Sequence, residues 1–108
     1  MMNLTRGEDF ELELLLDGDP DEFDWFEVII VQDGKPVFGR KKEDAERSAG
    51  GESVYFTFTG VETAHLRAGT PAFARARGAV PGGPVMQSEV EEICVLDAFG
   101  AGREKPWN

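Results

Sequence analysis

The stretch from Ser53 to Gly78 constrains this chain more than any other. It opens with an alternation in which Val54, Phe56 and Phe58 fall on one side and Tyr55, Thr57 and Thr59 on the other. A period of two in β-branched and aromatic residues marks a strand with one buried face. Glu62 to Leu66 is too short for an independent helix and fits a single helical turn, which Gly69 and Pro71 close. Alternation then resumes from Thr70 to Arg77. Strand, tight helical corner and strand together make a connection that crosses between the layers of a β-sandwich. The other strands are expected to pack around these two.

The rest of the chain supplies them. Phe10, Leu12, Leu14 and Leu16 alternate with Glu11 and Glu13 over Asp9 to Leu16. Glu and Leu favour helix, but strict alternation between two turn signals favours a strand. Asp17 to Asp24 is a polar loop broken by Gly18 and Pro20. The strand Trp25 to Gln32 carries a β-branched run from Val28 to Val31, the mark of burial on both faces or nearly so. Asp33-Gly34 is a two-residue hairpin turn leading into Lys35 to Lys41, with Pro36 at a start or an edge. Lys41 to Glu52 is charged, ends in glycines and reads as a mobile surface loop. Pro81 to Pro84 make a long hairpin loop, and Val85 to Ala98 is a last strand, bent or bulged where its apolar phase shifts. An edge strand near Asn3 to Arg6 precedes them all, with Gly7 turning the chain into the first clear strand.

These signals predict an all-β, immunoglobulin-like β-sandwich of about 6–7 antiparallel strands, with one short helical corner near residues 61–67. The 108 residues suit one domain, taken as 1–100, with 101–108 as a flexible tail. Eight Phe and a 41% hydrophobic content make the chain too apolar for disorder. The single cysteine, Cys94, rules out an internal disulfide, so the paired cysteines of antibody domains are absent.

Charge narrows the partners. The formal net charge is −10, and eleven acids but no Lys or Arg lie between Glu8 and Asp33. Such a chain repels phosphate backbones and anionic membranes, so neither nucleic acid nor membrane is an expected partner. A protein with basic patches, or another copy of this chain, is. The basic loop Arg40, Lys41 and Lys42, set against the acidic front loop, suggests opposed charges that favour head-to-tail association. The N-terminus lacks a basic region followed by an apolar run, so no signal peptide is expected.

Catalytic signals are weak. Asp17, Asp19 and Asp21 space their carboxylates as a Ca²⁺ loop does, but Glu22 and Val28 stand where an EF-hand needs Gly and Glu. A solvated acidic turn is the reading preferred, with no metal site assigned. His65 is the only histidine and has no visible partner for base catalysis or zinc. Cys94 lies in an apolar run beside Glu91 and Glu92, which suits a buried core thiol better than a reactive thiolate. No phosphate-binding glycine loop or nucleophile elbow occurs, and no cofactor is expected. Aromatic residues are more informative: Phe23, Trp25 and Phe26 cluster after the acidic loop, and either Trp25 or Phe26 must face away from the core. Phe23 and Trp25, with Arg40, Lys41 and Lys42, form the candidate interface.

Motifs at Thr5 to Asp9, Asp33 to Val37, Thr63 to Gly69 and Ser88 to Val90 resemble those of small β domains in phage tail and baseplate proteins, such as the N-terminal domain of the baseplate upper protein. Thr5-Arg6-Gly7-Glu8-Asp9 precedes the first alternating strand, and Asp33-Gly34-Lys35-Pro36-Val37 turns a hairpin. Thr63, Leu66 and Gly69 form a corner before the strand Pro71 to Arg77, and Ser88-Glu89-Val90 enters the last strand. The resemblance spans most of residues 4–97, although Glu8-Asp9 stands where the family usually has Asp and Thr. It implies a non-enzymatic virion component, made in the bacterial host cytoplasm and packed against neighbouring subunits. The rival reading is a small acidic cytosolic protein of the immunity or inhibitor type, bound to a basic partner.

Overall fold

The computed structural model describes residues 2–15, 19–48, 53–88 and 90–97. Two sheets face each other. The larger runs in the order β1 (Met2–Thr5), β9 (Glu91–Leu96), β7 (Ala72–Ala79), β3 (Trp25–Gln32), β4 (Lys35–Lys41), with β8 (Met86–Gln87) also pairing β7. The smaller holds β2 (Phe10–Leu15), β6 (Ser53–Phe58) and β5 (Glu46–Arg47) in that order. All pairings are antiparallel except β1 with β9. A first strand parallel to the last, a third strand beside the seventh and a hairpin added outside it give the order of a variable-type immunoglobulin sheet. The fold is an immunoglobulin-like β-sandwich.

The crossover read from the sequence is the joint between the layers. β6 belongs to the small sheet and β7 to the large one, and α1 (Gly60–Thr63) lies between them. Thr59 caps this single turn, accepting from the Glu62 backbone N–H while the Glu62 carboxylate accepts from the Thr59 N–H. The cap is anchored from outside: Arg40 on β4 pairs with Glu62 and lies over the Phe58 ring at 4.6 Å. The Arg40 guanidinium, and then the Thr59 N–H, hold the Glu62 carboxyl below its ordinary value.

Two buried polar side chains fix the corner. Thr63 is fully buried, its hydroxyl donating to the Glu8 carbonyl at 2.8 Å and accepting from the Gly7 N–H at 3.0 Å. Gln32, 5% exposed at the end of β3, donates to the carbonyls of Arg67 and Thr70, both at 2.9 Å, and accepts from the Arg67 N–H at 2.8 Å. Its amide thus supplies a loop that has no ladder of its own. Gly60 permits the close approach, because a Cβ there would lie 2.4 Å from the Gly7 carbonyl oxygen.

Alternation fills the core as expected. Val54, Phe56 and Phe58 on β6 are buried, as are Phe10 and Leu12 on β2 and Phe26, Val28 and Ile30 on β3. Ala72, Ala74 and Ala76 on β7 take little volume, and the Phe side chains of the same cluster supply it. Phe38 and Phe10 pack on Phe58 with centroids 5.0 and 6.3 Å apart. The hairpin turn has φ of 55° at Asp33 and 73° at Gly34, the conformation this pair was read to adopt.

Some expectations change. The segment from Lys41 onward is not one long loop: a 3-10 turn at Lys42–Asp44 and the short strand β5 occupy it, and residues 49–52 lie outside the described residues. The last strand divides into β8 and β9, with Val90 between them 56% exposed. Cys94 is not a core thiol, because Ile93 and Val95 take the inward phase of β9 and leave it half-buried on the outer face. Leu16, Asp17 and the tail 101–108 lie outside the described residues.

Replacing Gln32 by Leu should cost about 2–3 kcal/mol in urea unfolding, since it orphans a buried N–H and strips two carbonyls. Glu62 sets a second test. Its folded value lies below the unfolded one, so the Arg40 contact contributes fully above the ordinary glutamate range and is lost as pH falls through the depressed value. Glu62→Gln should therefore flatten the acid side of the stability profile below about pH 4.5, while leaving the slope near neutrality unchanged.

Candidate functional site

The outward face of the large sheet carries an apolar strip built on regular structure. It follows from β3. Because Val28 and Ile30 point into the core, Ile29 and Val31 must point out, and both stay half-buried. Register places Arg75 of β7 beside Ile29 and Phe73 beside Val31. On the other side, Gly39 stands beside Ile29 and Pro36 beside Val31, with a bulge between Ile30 and Val31 that leaves Val37 over. Phe73 and Val37 are each 36% exposed. Together Ile29, Val31, Pro36, Phe73, Arg75 and Val90 line a shallow depression of about 350 Å³.

Charged and aromatic groups rim this face. Glu27 and Arg77 pair across β3 and β7 at 2.5 Å, and Arg77 lies 5.8 Å from the centre of the Trp25 ring. Lys41 stands opposite Glu27 on β4, and Glu92 opposite Phe73 on β9. Arg67 and Asp33 pair near the hairpin end. An apolar strip with Arg75 within it and further charge at its edge is an arrangement suited to protein docking.

Of the five residues picked from the sequence, Trp25, Lys41 and Lys42 line one depression of about 220 Å³, and Phe23 and Arg40 lie outside it. Trp25 is half-buried at the start of β3, and Lys41 is exposed. Phe23 is only 5% exposed, because the 3-10 turn Pro20–Glu22 folds it back edge-on to Phe26 at 6.0 Å. The Lys42 ammonium donates to the Phe23 carbonyl at 2.5 Å, and Arg40 is taken up by Glu62 and Phe58. Nor do the basic and acidic loops lie apart. Arg47, just beyond the basic loop, pairs with Asp19 at 3.0 Å and also with Asp21. Arg47 thus neutralises part of the acidic front loop within one molecule, and Lys42 reaches the Phe23 carbonyl at the end of that loop.

Missed in the sequence were Ile29, Val31 and Phe73. The signal was present: the unbroken run Val28 to Val31, and Phe73 and Arg75 alternating with the alanines of β7. Read together, these mark one sheet face as apolar and incompletely covered.

His65 is exposed in the turn after α1. No group of three His, Cys, Asp or Glu side chains is placed to hold a metal ion among the described residues. Asp19 caps the 3-10 turn, and the Asp21 N–H, followed by Arg47, holds its carboxyl below the ordinary range. Its Oδ1 accepts from both donors. No helix of the described residues is long and apolar enough to cross a membrane.

No family model matches the chain, and no curated protein matches it. Among solved structures, the extracellular domain of mouse leukocyte-associated immunoglobulin-like receptor 1, a strand-swapped dimer, is similar at 9% identity with a TM-score of 0.49, over 88% of this chain and 86% of that one. The V domain of amphioxus IgVJ-C2 is similar at 12% identity with a TM-score of 0.38, over 87% of this chain and 98% of that one. Drosophila OTK extracellular domains 3–5 are similar at 12% identity with a TM-score of 0.43, over 88% of this chain but 32% of that one.

Buried and exposed phenylalanines should separate cleanly by mutation. Phe23→Ala should cost about 3 kcal/mol by denaturant unfolding, whereas Phe73→Thr should stay within about 0.5 kcal/mol.

Proposed function

We propose that this chain is a non-enzymatic protein-docking module, and that its partner seats on the outer face of the large sheet. The observation that carries this reading is the contiguous apolar set Ile29, Val31, Phe73 and Val90, displayed across neighbouring strands and ringed by charge. Contiguous apolar surface on a soluble domain usually marks a contact site. A rigid sheet presents it at little entropic cost. Trp25 and Lys41, at one end of the same face, extend the contact.

The partner class comes from the sequence. Its motifs at Thr5 to Asp9, Asp33 to Val37, Thr63 to Gly69 and Ser88 to Val90 resemble phage tail and baseplate domains and support a virion structural role. In that role the domain is made in the bacterial host cytoplasm and then held among neighbouring subunits in the particle. The second reading, an immunity or inhibitor type of protein with a basic partner, draws on a different observation. The small sheet carries Glu11, Glu13 and Glu46 on one face, in a chain of net charge −10.

A photo-crosslinking residue placed at position 73 should capture a particle subunit, and one at Val61, which is 77% exposed on α1, should not. Val31→Asp should abolish the capture without unfolding the domain. Equal capture from both positions would contradict docking on this face. Absence of the protein from purified particles would contradict the virion role alone.

A further inference from the structure

The small sheet has an open edge. β2 pairs only with β6 among the described residues, from Phe10↔Phe58 to Leu15↔Ser53. On its other side, alternate residues turn their N–H and C=O groups outward with no strand to receive them. The large sheet does not close the gap either. Among the described residues β1 pairs with β9 from Ile93 to Leu96, so no first strand of theirs lies beside residues 86–91.

A cleft of about 500 Å³ opens there onto the core, lined by Leu12, Leu14, Leu15, Val28, Ala74 and Val90. A second cavity of about 230 Å³ adjoins it and reaches Phe26 and Met86. The result is apolar surface left wet: Leu15 is 77% exposed, and Leu14, on the inward phase of β2, is only half-buried. Sandwich edges are ordinarily short, charged or covered. This one is six residues long, carries Glu11 and Glu13, and borders a trough of mixed apolar and polar lining.

Acids flank the trough. Glu11 and Glu13 alternate with Leu12 and Leu14 on β2, and Glu91 lines the cleft across from them. Glu13 accepts from the Ser53 hydroxyl at 2.8 Å. No Lys or Arg pairs with any of the three among the described residues.

The geometry points to strand addition: β2 accepts one extended segment of another protein, in which apolar residues alternate with Lys or Arg. Its apolar side chains fill the cleft and complete the core. Its basic side chains lie on the opposite phase, beside Glu11 and Glu13. Main-chain bonds supply affinity, and the alternation supplies selectivity. A second copy is the wrong occupant, since pairing β2 with β2 would set Glu11 and Glu13 against themselves in chains of net charge −10. This surface shares only Val90 with the outer-face depression, so it stands whether or not that face docks a partner.

The test titrates the full chain with a fluorescein-labelled peptide, KVKVRVK, and follows anisotropy and backbone amide shifts. Saturable binding is expected, with the largest shifts in Glu11–Leu15. Glu11→Lys with Glu13→Lys, both exposed positions, should weaken it at least about tenfold. Several results would overturn the proposal: no shift in β2, equal binding of the acidic peptide EVEVEVE, or self-association abolished by the double variant. So would binding at least tenfold tighter after deletion of residues 98–108, which would make the chain's own tail the native occupant.

Discussion

Everything in this fold hangs on a few hydrogen bonds at the corner between β6 and β7. The chain leaves one sheet and enters the other between Phe58 and Ala72, and a segment that short cannot anchor itself to both layers. Its first turn bonds to itself from the Thr63 N–H to the Leu66 N–H, while the Thr63 hydroxyl and the Gln32 amide tie it to its neighbours. The Thr63 hydroxyl ties the corner to the turn between β1 and β2, and the Gln32 amide ties it to the end of β3. One side chain thus links the corner to the start of the small sheet, the other to the centre of the large one. Both are buried, where an unmet polar group is costly and a met one sets a unique geometry.

The position of that corner dictates the surfaces. It brings β7 into the middle of the large sheet, between β3 and β9, with alanines inward and Phe73, Arg75 and Arg77 outward. Small inward residues leave the core volume to the Phe side chains and let the sheets approach. The outward phase then meets Ile29 and Val31, and an apolar face results. On the other layer three strands form among the described residues, so β2 is left as an edge. Acid surplus is distributed accordingly. The front loop is partly neutralised by Arg47, while Glu11 and Glu13 on β2 pair with no base among the described residues.

Much of this was legible in the sequence, for local reasons. Asp33-Gly34 tolerates the positive φ that a tight hairpin needs, so β3 and β4 were bounded correctly. Period-two alternation gave β2, β6 and β7, and the inward residues of the first two. What stayed hidden depends on contacts between distant segments. Phe23 follows an acidic loop and reads as exposed, yet a 3-10 turn folds it inward. Arg40 reads as one of three basic loop residues, yet it spans to Glu62, 22 positions on. Gln32 looks like a strand-end polar residue, and only the corner 35 residues later gives its amide a purpose. The open edge of β2 was invisible because strand count does not reveal which strand lacks a neighbour.

Amide hydrogen exchange in the free protein tests the central role of the corner most directly. The Gly7 and Arg67 amides lie in turns, outside any strand, and would exchange rapidly if they were ordinary loop amides. Bound to Thr63 and Gln32, they should instead exchange as slowly as the amides of β3 and β7. Exchange at loop rates at both positions would mean that the two layers are not joined in this way.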